Sequence, residues 1–458
     1  MQVDKAARYI GGEVNSVMKD KNKVDIRFAM CFPDVYEIGM SNLGMMILYN
    51  MFNEREDVWC ERVFSPWMDL DKIMREEHIP LFALESQEPV KEFDFLGITL
   101  GYEMCYTNVL QVLDLSHVSL FAKDRKEDDP IVIGGGACAY NPEPIAEFFD
   151  MFYIGEGETV YDALFDVYKA TKAAGGSRKD FLFAASKIPG IYVPSLYNVS
   201  YKEDGTIASF TPVKEGIPEK VCKQLITDIT KDYRAIKAPV VPFIKATQDR
   251  VTLEIQRGCI RGCRFCQAGM IYRPTRERNV EDLKASAREM LQNTGHEEIS
   301  LSSLSSSDYS ELKELVNFLI EEFHGNAVNI SLPSLRIDAF ALDVMSKVQD
   351  VKKSRPCCIQ YHIIYVKAPN LCNKLDDLYL NTKPKSCQYD QPSASHFVQN
   401  NRQYKSKWKK TNYISKKICN YRHKSKLFSV YPETPYLNKR YQIISVLSFF
   451  HCCSSVFF

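Results

Sequence analysis

Apolar residues along the first 350 positions fall into two alternating patterns: short unbroken blocks, and longer segments where they recur every three or four residues. The blocks predict buried strands and the segments predict amphipathic helices. "KVDIRFAMCFP" (23–33) is the first block, followed by the glycine-containing turn "DVYEIGMSNLG" and the helical "MMILYNMFNE". "FDFLGITLG" (93–101) is a second strand, leading to the helix "YEMCYTNVLQVLDLS". "DPIVIGGGACAYNPEP" (129–144) runs from a strand into a glycine turn. "FFDMFYIGEGETV" (148–160) is another strand, and it enters a helix at "YDALFDVYKATKA". Strands alternating with helices predict a doubly wound, Rossmann-like parallel α/β domain over residues 1–190.

The pattern changes over residues 191–245. "IYVPSLYNVSYKEDGTIASFTPV" alternates at period two around Asp204-Gly205, which predicts a hairpin. "KAPVVPF" reads as a proline-stiffened linker. A second α/β series then occupies 246–350. Val251, Leu253 and Ile255 alternate as a strand; Val280, Leu283, Ala287, Met290 and Leu291 mark a helix that Gly295 stops. "EEISLSSL" is the next strand, and Leu312, Leu315, Val316, Leu319, Ile320 and Phe323 form the stripe of the next helix, ended by Gly325. "AVNISLPSLRI" is a third strand, and Asp338 is a candidate cap for a third helix. Three β-α units in a row are the N-terminal half of a (β/α) barrel, whose sites lie at the C-terminal ends of the strands.

Composition changes this picture at one place. The chain holds 58 basic and 58 acidic residues, but 54 of the acidic ones precede Val351, and 19 basic residues against 4 acidic follow it. All 21 glycines lie between Gly11 and Gly325. Residues 351–458 thus form a basic, glycine-free tail unlike a β/α domain, which needs glycine at helix ends and turns. A shifted reading frame near Ser354 is the expectation; a genuine basic tail for nucleic acid is the alternative, since "NRQYKSKWKKTNYISKK" interleaves Lys with aromatics. The start has no apolar core of signal-peptide length, and Ser, Gln and His interrupt the most apolar stretch, "YQIISVLSFFHCCSSVFF". No membrane is therefore expected. Fifteen cysteines without a secretion signal point to reduced thiols in the cytoplasm, used for metal or catalysis.

Three of those cysteines carry the chemistry. "EIQRGCIRGCRFCQAG" (254–269) spaces Cys259, Cys263 and Cys266 as C-x3-C-x2-C, in the loop after the first barrel strand. Structural zinc wants four closed ligands, usually two distant pairs. An ordinary four-iron cluster takes four cysteines. Three thiolates satisfy three irons and leave the fourth open for chemistry. Gly258, Gly262 and Gly269 let the backbone wrap a bulky cluster, and Arg257, Arg261 and Arg264 are candidates to offset its charge. A partial zinc site completed from elsewhere is the competing reading.

C-x3-C-x-Φ-C, with Phe265 as the aromatic, resembles the signature loop of radical S-adenosylmethionine (SAM) enzymes. The longer "EIQRGCIRGCRFCQAGMIYRPTRER" is similar to uncharacterised radical SAM proteins with an N-terminal cobalamin-binding-like domain, and the likeness runs from about residue 7 to about 350. It implies a [4Fe-4S] cluster on the three cysteines, SAM on the open iron, reductive cleavage of SAM, and an electron donor such as a flavodoxin or ferredoxin. The sequence does not identify the substrate; RNA and protein are the candidates. The family's backbone at Phe265 lies against the SAM adenine. Ser302 and Ser303 end the second strand, where the family contacts the SAM amino group, although no Gly-Gly-Glu stands there. Arg336 is placed to reach the SAM carboxylate, or to be a solvated helix-entry charge. A non-catalytic or truncated iron–sulfur protein is the alternative function, because the barrel breaks off.

Cobalamin binding and an empty doubly wound domain are the two readings of residues 1–190. Such domains often carry D-x-H-x-x-G with a histidine lower ligand; the matching "DVYEIG" has Asp34, Tyr36 and Gly39, with tyrosine in the histidine position. Phenol is a poor cobalt ligand beside imidazole. Gly134, Gly135 and Gly136 match the family's glycines that admit the nucleotide tail, or merely permit tight turns. Glu156 and Glu158 of "IGEGE" are similarly family-like, or enrich a helix N-terminus in negative charge.

Overall fold

The computed structural model describes residues 3–323 and 328–335, which belong to one compact unit. Arg336, the third barrel helix and residues 351–458 lie outside the described residues. The N-terminal strands are β1 (Ile26–Phe32), β2 (Val58–Phe64), β3 (Phe95–Thr99), β4 (Ile131–Gly135), β5 (Met151–Tyr153) and β6 (Ile191–Tyr192). They form one sheet in the order β2-β1-β3-β4-β5-β6. The first five are parallel and β6 pairs antiparallel to β5, carrying the sheet two residues past 190. Helices α1 (Tyr36–Gly39), α2 (Leu43–Glu54), α3 (Met68–Glu77), α4 (Tyr106–Leu115), α5 (Tyr161–Ala173) and α6 (Arg178–Ala185) complete the domain. One core packs α2, α5 and α6 on Phe28, Met30 and Phe95; the other packs α3 and α4 on Ala29, Cys31 and Leu96. Alternate residues of β1 thus feed opposite faces, as a doubly wound sheet requires.

A hairpin of β7 (Tyr197–Tyr201) and β8 (Ile207–Pro212) follows, turning at Gly205. After the one-turn α7 (Ile229–Asp232) comes the second series. Its strands are β9 (Val251–Glu254), a ribbon of β10 (Gln256–Arg257) with β11 (Arg276–Glu277), then β12 (Glu298–Ser302) and β13 (Asn329–Ser331). Its helices are α8 (Ala268–Ile271), α9 (Val280–Thr294) and α10 (Leu312–Phe323). β9, β12 and β13 form a three-stranded parallel sheet, and their odd- or even-numbered apolar residues Val251, Leu253, Ile299, Leu301 and Ile330 meet α9 and α10. α9 is capped by Asn279, whose side chain accepts the Glu281 N–H, and ends at Gly295 in the left-handed region. Among the described residues, no helix is long and apolar enough to cross a membrane.

The largest departure from the sequence pattern is β2. "VWCERVF" is buried throughout, yet Glu61 and Arg62 in its middle hide it from any apolar-block criterion. Arg62 is fully buried. Its Nε donates to Glu85 Oε1 at 2.7 Å, and its Nη2 donates to Glu13 Oε2 at 2.7 Å. Tyr49 donates to Glu85 and Tyr36 donates to Glu13, each at 2.9 Å. The guanidinium therefore sits between two carboxylates that are themselves held by phenols. On the same strand, Glu61 accepts Arg27 Nη2 at 2.6 Å.

Burial works to raise the Glu13 pKa, but Arg62 overcomes it and holds that carboxyl below its ordinary value. Glu37 is likewise pressed upward by burial, and Arg8 and Lys5 hold it at about 2. A lowered acid stabilises the fold above its unfolded pKa, near 4.5, and that contribution is lost as pH falls through the folded value. Burial raises Glu61 despite Arg27, so that group acts in the opposite sense. Acid titration followed by circular dichroism should show stability falling from about pH 4.5 toward pH 2. Arg62→Met strands two buried carboxylates and should cost about 3–5 kcal/mol in denaturant unfolding, against near-neutral effects at exposed Lys72.

Candidate metal centre

The cysteine loop is a closed structure rather than an open excursion. It leaves β10 at Gly258 and returns at β11, and the antiparallel ribbon pairs Arg257 with Arg276 at its neck. Gly258 has φ of +80°, and a Cβ there would lie 2.6 Å from the Pro274 oxygen and 2.7 Å from the Tyr272 oxygen. Only glycine closes the neck. Cys259, Cys263 and Cys266 are free and half-buried. The Arg261 N–H points to Cys259 Sγ at 3.5 Å, and the Gly269 N–H to Cys266 Sγ at 3.3 Å. Such backbone donors favour thiolates and tune clusters. Around the thiols, Phe265 is 82% exposed, Ile260 63% and Met270 54%.

Among the described residues, no three His, Cys, Asp or Glu side chains converge on a single ion position. A four-iron cube presents its ligated irons at separate corners, so its thiolates need not converge. Three thiols from one loop, with no fourth protein ligand beside them among the described residues, are a donor set compatible with a cube that keeps one iron open. The remaining buried thiols are different in kind: burial pushes Cys105 and Cys138 up to about 12, which keeps them protonated.

Two of the three arginines are already paired with carboxylates. Arg261 is bidentate to Asp308, with Nε 3.0 Å and Nη2 2.5 Å from the carboxylate oxygens. This ties the cysteine loop to the serine-rich loop after β12. Within that loop, Ser303 Oγ meets Ser306 Oγ at 3.0 Å and accepts the Ser305 N–H at 3.1 Å, while Ser305 Oγ donates to Asp308 at 2.7 Å. Ser302 ends β12 opposite Glu254. Arg257 donates through Nε to Glu254 at 2.9 Å and through Nη2 to Glu158 at 2.5 Å. Burial works to lower its pKa, yet Glu254 and Glu158 keep it well above the ordinary value. Arg264 is exposed.

The strand order 2-1-3-4-5 places the topological switch between β1 and β3. Asp34 stands there, accepting the Tyr102 hydroxyl and, at 2.7 Å, the Val35 N–H. Asn108 donates to the Pro33 oxygen at 2.9 Å. Tyr36 does not face this crevice: it is 1% exposed and spent on Glu13. Gly39 and Gly134 are packing glycines, since a Cβ would lie 2.2 Å from the Phe64 ring and 2.8 Å from the Phe152 ring. Gly136 has φ of +105° and abuts the Leu100 oxygen. At Gly135 a Cβ would meet nothing nearer than 3.9 Å. Of the six sequence candidates in this domain, Asp34 and Gly135 are thus the two not consumed by packing.

The pattern of apolar and polar residues missed Tyr102 and Asn108, which lie in a loop and on a helix without motif, and the ion pairs that Glu156 and Glu158 of "IGEGE" make with Arg257 and Arg276. It also missed Gln256, 1% exposed, whose side-chain oxygen and nitrogen both lack a hydrogen-bond partner among the described residues. Ile255 beside it faces the helix-packed core, so alternation puts Gln256 on the opposite face. A buried unsatisfied amide costs about 1–3 kcal/mol. Gln256→Leu should therefore raise the thermal midpoint of the ligand-free protein, measured by calorimetry.

Comparisons with known proteins agree with the loop. Residues 44–194 match the family model "Radical SAM proteins, N-terminal", and residues 253–358 match "Radical SAM superfamily". An uncharacterized protein of Methanocaldococcus jannaschii is 28% identical over 326 residues, covering 69% of this chain and 57% of its own length. The chain thus spans little more than half of that relative. Two structures of the radical SAM methyltransferase TsrM from Kitasatospora setae, one with cobalamin and a [4Fe-4S] cluster and one with tryptophan and a SAM analogue, are each 12% identical. Their TM-scores are 0.41 and 0.40, over 71% and 70% of this chain and 57% of theirs. From two successive family matches and a cysteine loop of the same signature, the chain carries the N-terminal domain of radical SAM proteins followed by a radical SAM superfamily domain.

Proposed function

We propose that this chain is a radical SAM iron–sulfur enzyme, with Cys259, Cys263 and Cys266 holding a [4Fe-4S] cluster whose open iron takes SAM. The observation that carries this reading is the three free, half-buried thiols, two of them met by backbone N–H groups, in a loop closed at its neck. When bound and reduced, such a cluster supplies the electron that cleaves SAM to methionine and a 5′-deoxyadenosyl radical. The residues of this chain supply the rest. Exposed Phe265, Ile260 and Met270 give apolar surface for a nucleoside and for excluding water. The Arg261–Asp308 pair holds the cysteine loop against the serine loop, where Ser302 and Ser303 await the SAM amino group.

For the N-terminal domain we infer cobalamin binding at the switch-point crevice, beside Asp34 and Gly135. Tyr36 is locked in the core, so its phenol would not serve as a lower ligand to cobalt. The radical SAM match ends at residue 358, close to the loss of glycine and acidic residues, which supports a shifted reading frame near Ser354. Sequencing the coding DNA there should reveal a family-like continuation in another frame.

Anaerobic reconstitution with iron and sulfide should give a brown protein that releases 5′-deoxyadenosine from SAM under reductant. Alanine at any of the three cysteines should abolish cluster absorption and paramagnetic signal. A cluster without SAM cleavage would favour the non-catalytic reading, and colourless, tightly held metal would favour zinc. Added cobalamin, if bound, should show no nitrogen splitting from a protein imidazole in its reduced cobalt signal.

A further inference from the structure

We propose that Glu156 is a positioning residue for the cysteine loop: it fastens both ends of the loop to the N-terminal domain and sets where the thiols stand. The inference rests on the functional reading above, since it concerns where a SAM-binding cluster is held. Arg257 and Arg276 are direct cross-strand partners at the loop's neck. Two like charges in that relation repel, and both are nearly buried. Arg257 also has Glu254 and Glu158, but Glu156, from a different domain, is the carboxylate that meets both guanidiniums. Glu156 receives Arg276 through two hydrogen bonds, at 2.8 and 2.6 Å, and its Oε2 lies 3.3 Å from Arg257 Nη1. Burial works to raise its pKa, yet Arg276 and Arg257 hold it below the ordinary value, so it stays ionised.

The carboxylate is itself held. The Ile226 N–H donates to Glu156 Oε2 at 3.0 Å, and the Glu156 N–H donates to the Gln224 oxygen at 3.0 Å. Gly155 has φ of +144°, and a Cβ there would lie 2.3 Å from that Gln224 oxygen, so the chain can pass only as glycine. The far limb of the loop is gripped from the same linker. Lys223 Nζ donates to the oxygens of Ile271 and Arg273, each at 2.6 Å. Every residue of "GEG" is thereby accounted for by a contact toward the cysteine loop or the linker that holds it, apart from Gly157, which packs on Leu48. Arg257 stands two residues before Cys259, so a shift of the neck is a shift of the first thiol.

The test uses the full chain, reconstituted anaerobically. Glu156→Gln removes the charge shared by the two guanidiniums and leaves Arg257 with Glu158 and Glu254 alone; Glu156→Asp keeps the charge with a shorter reach and serves if the first variant does not fold. Arg62→Met, a buried ion-pair loss remote from the loop, is the control for mere destabilisation. The expected result is iron and sulfide content equal to wild type, SAM binding weakened about 10- to 100-fold, and an altered response of the reduced cluster's paramagnetic signal to SAM. The control should keep both. Wild-type SAM affinity and an unchanged signal in a folded Glu156 variant would overturn this inference alone. A wild-type chain that binds no SAM would sink the functional reading and this inference with it.

Discussion

Buried guanidinium groups must be met by carboxylates, and this constraint shapes both halves of the molecule. A charge removed from water costs several kcal/mol unless geometry repays it. Arg62 meets Glu13 and Glu85 inside the N-terminal domain, and Arg257 and Arg276 meet Glu156, Glu158 and Glu254 beneath the cysteine loop. Apart from Glu254, three residues before Arg257, the partners come from segments far apart in sequence. The ion pairs therefore specify which segments are neighbours, while the apolar cores supply the bulk of the stabilisation.

This explains what the sequence could and could not disclose. Strands β1, β3, β4, β5, β9 and β12 are short apolar blocks, and α2, α4, α5, α9 and α10 have clear helical stripes or caps; period and turn chemistry made them legible. β2 was opaque because Glu61 and Arg62 are buried by pairing, a fact invisible until the partners are placed. The short β6 was read as part of the hairpin region because two residues carry no period of their own.

The site divides along the same line. Three cysteines in eight residues are a local signal, and the glycines that close their loop are local too. The fates of Arg257 and Arg261 were not, since Glu158 and Asp308 lie 99 and 47 residues away in the chain. Tyr36 sat at a plausible ligand position by motif, but side-chain direction on a one-turn helix decided otherwise. Gly134, Gly135 and Gly136 look alike in sequence and differ only in what a side chain would strike.

The short parallel bridge between Gly155 and Gln224 has a wider implication. It weaves the connecting segment into the first domain's edge just where that segment also grips the second. The two halves are consequently not interchangeable parts: a barrel of this kind transplanted onto a foreign partner would lose its footing unless residues 155–158 and 223–226 travelled with it. Lineages that shuffle such halves would have to inherit those few positions as one block.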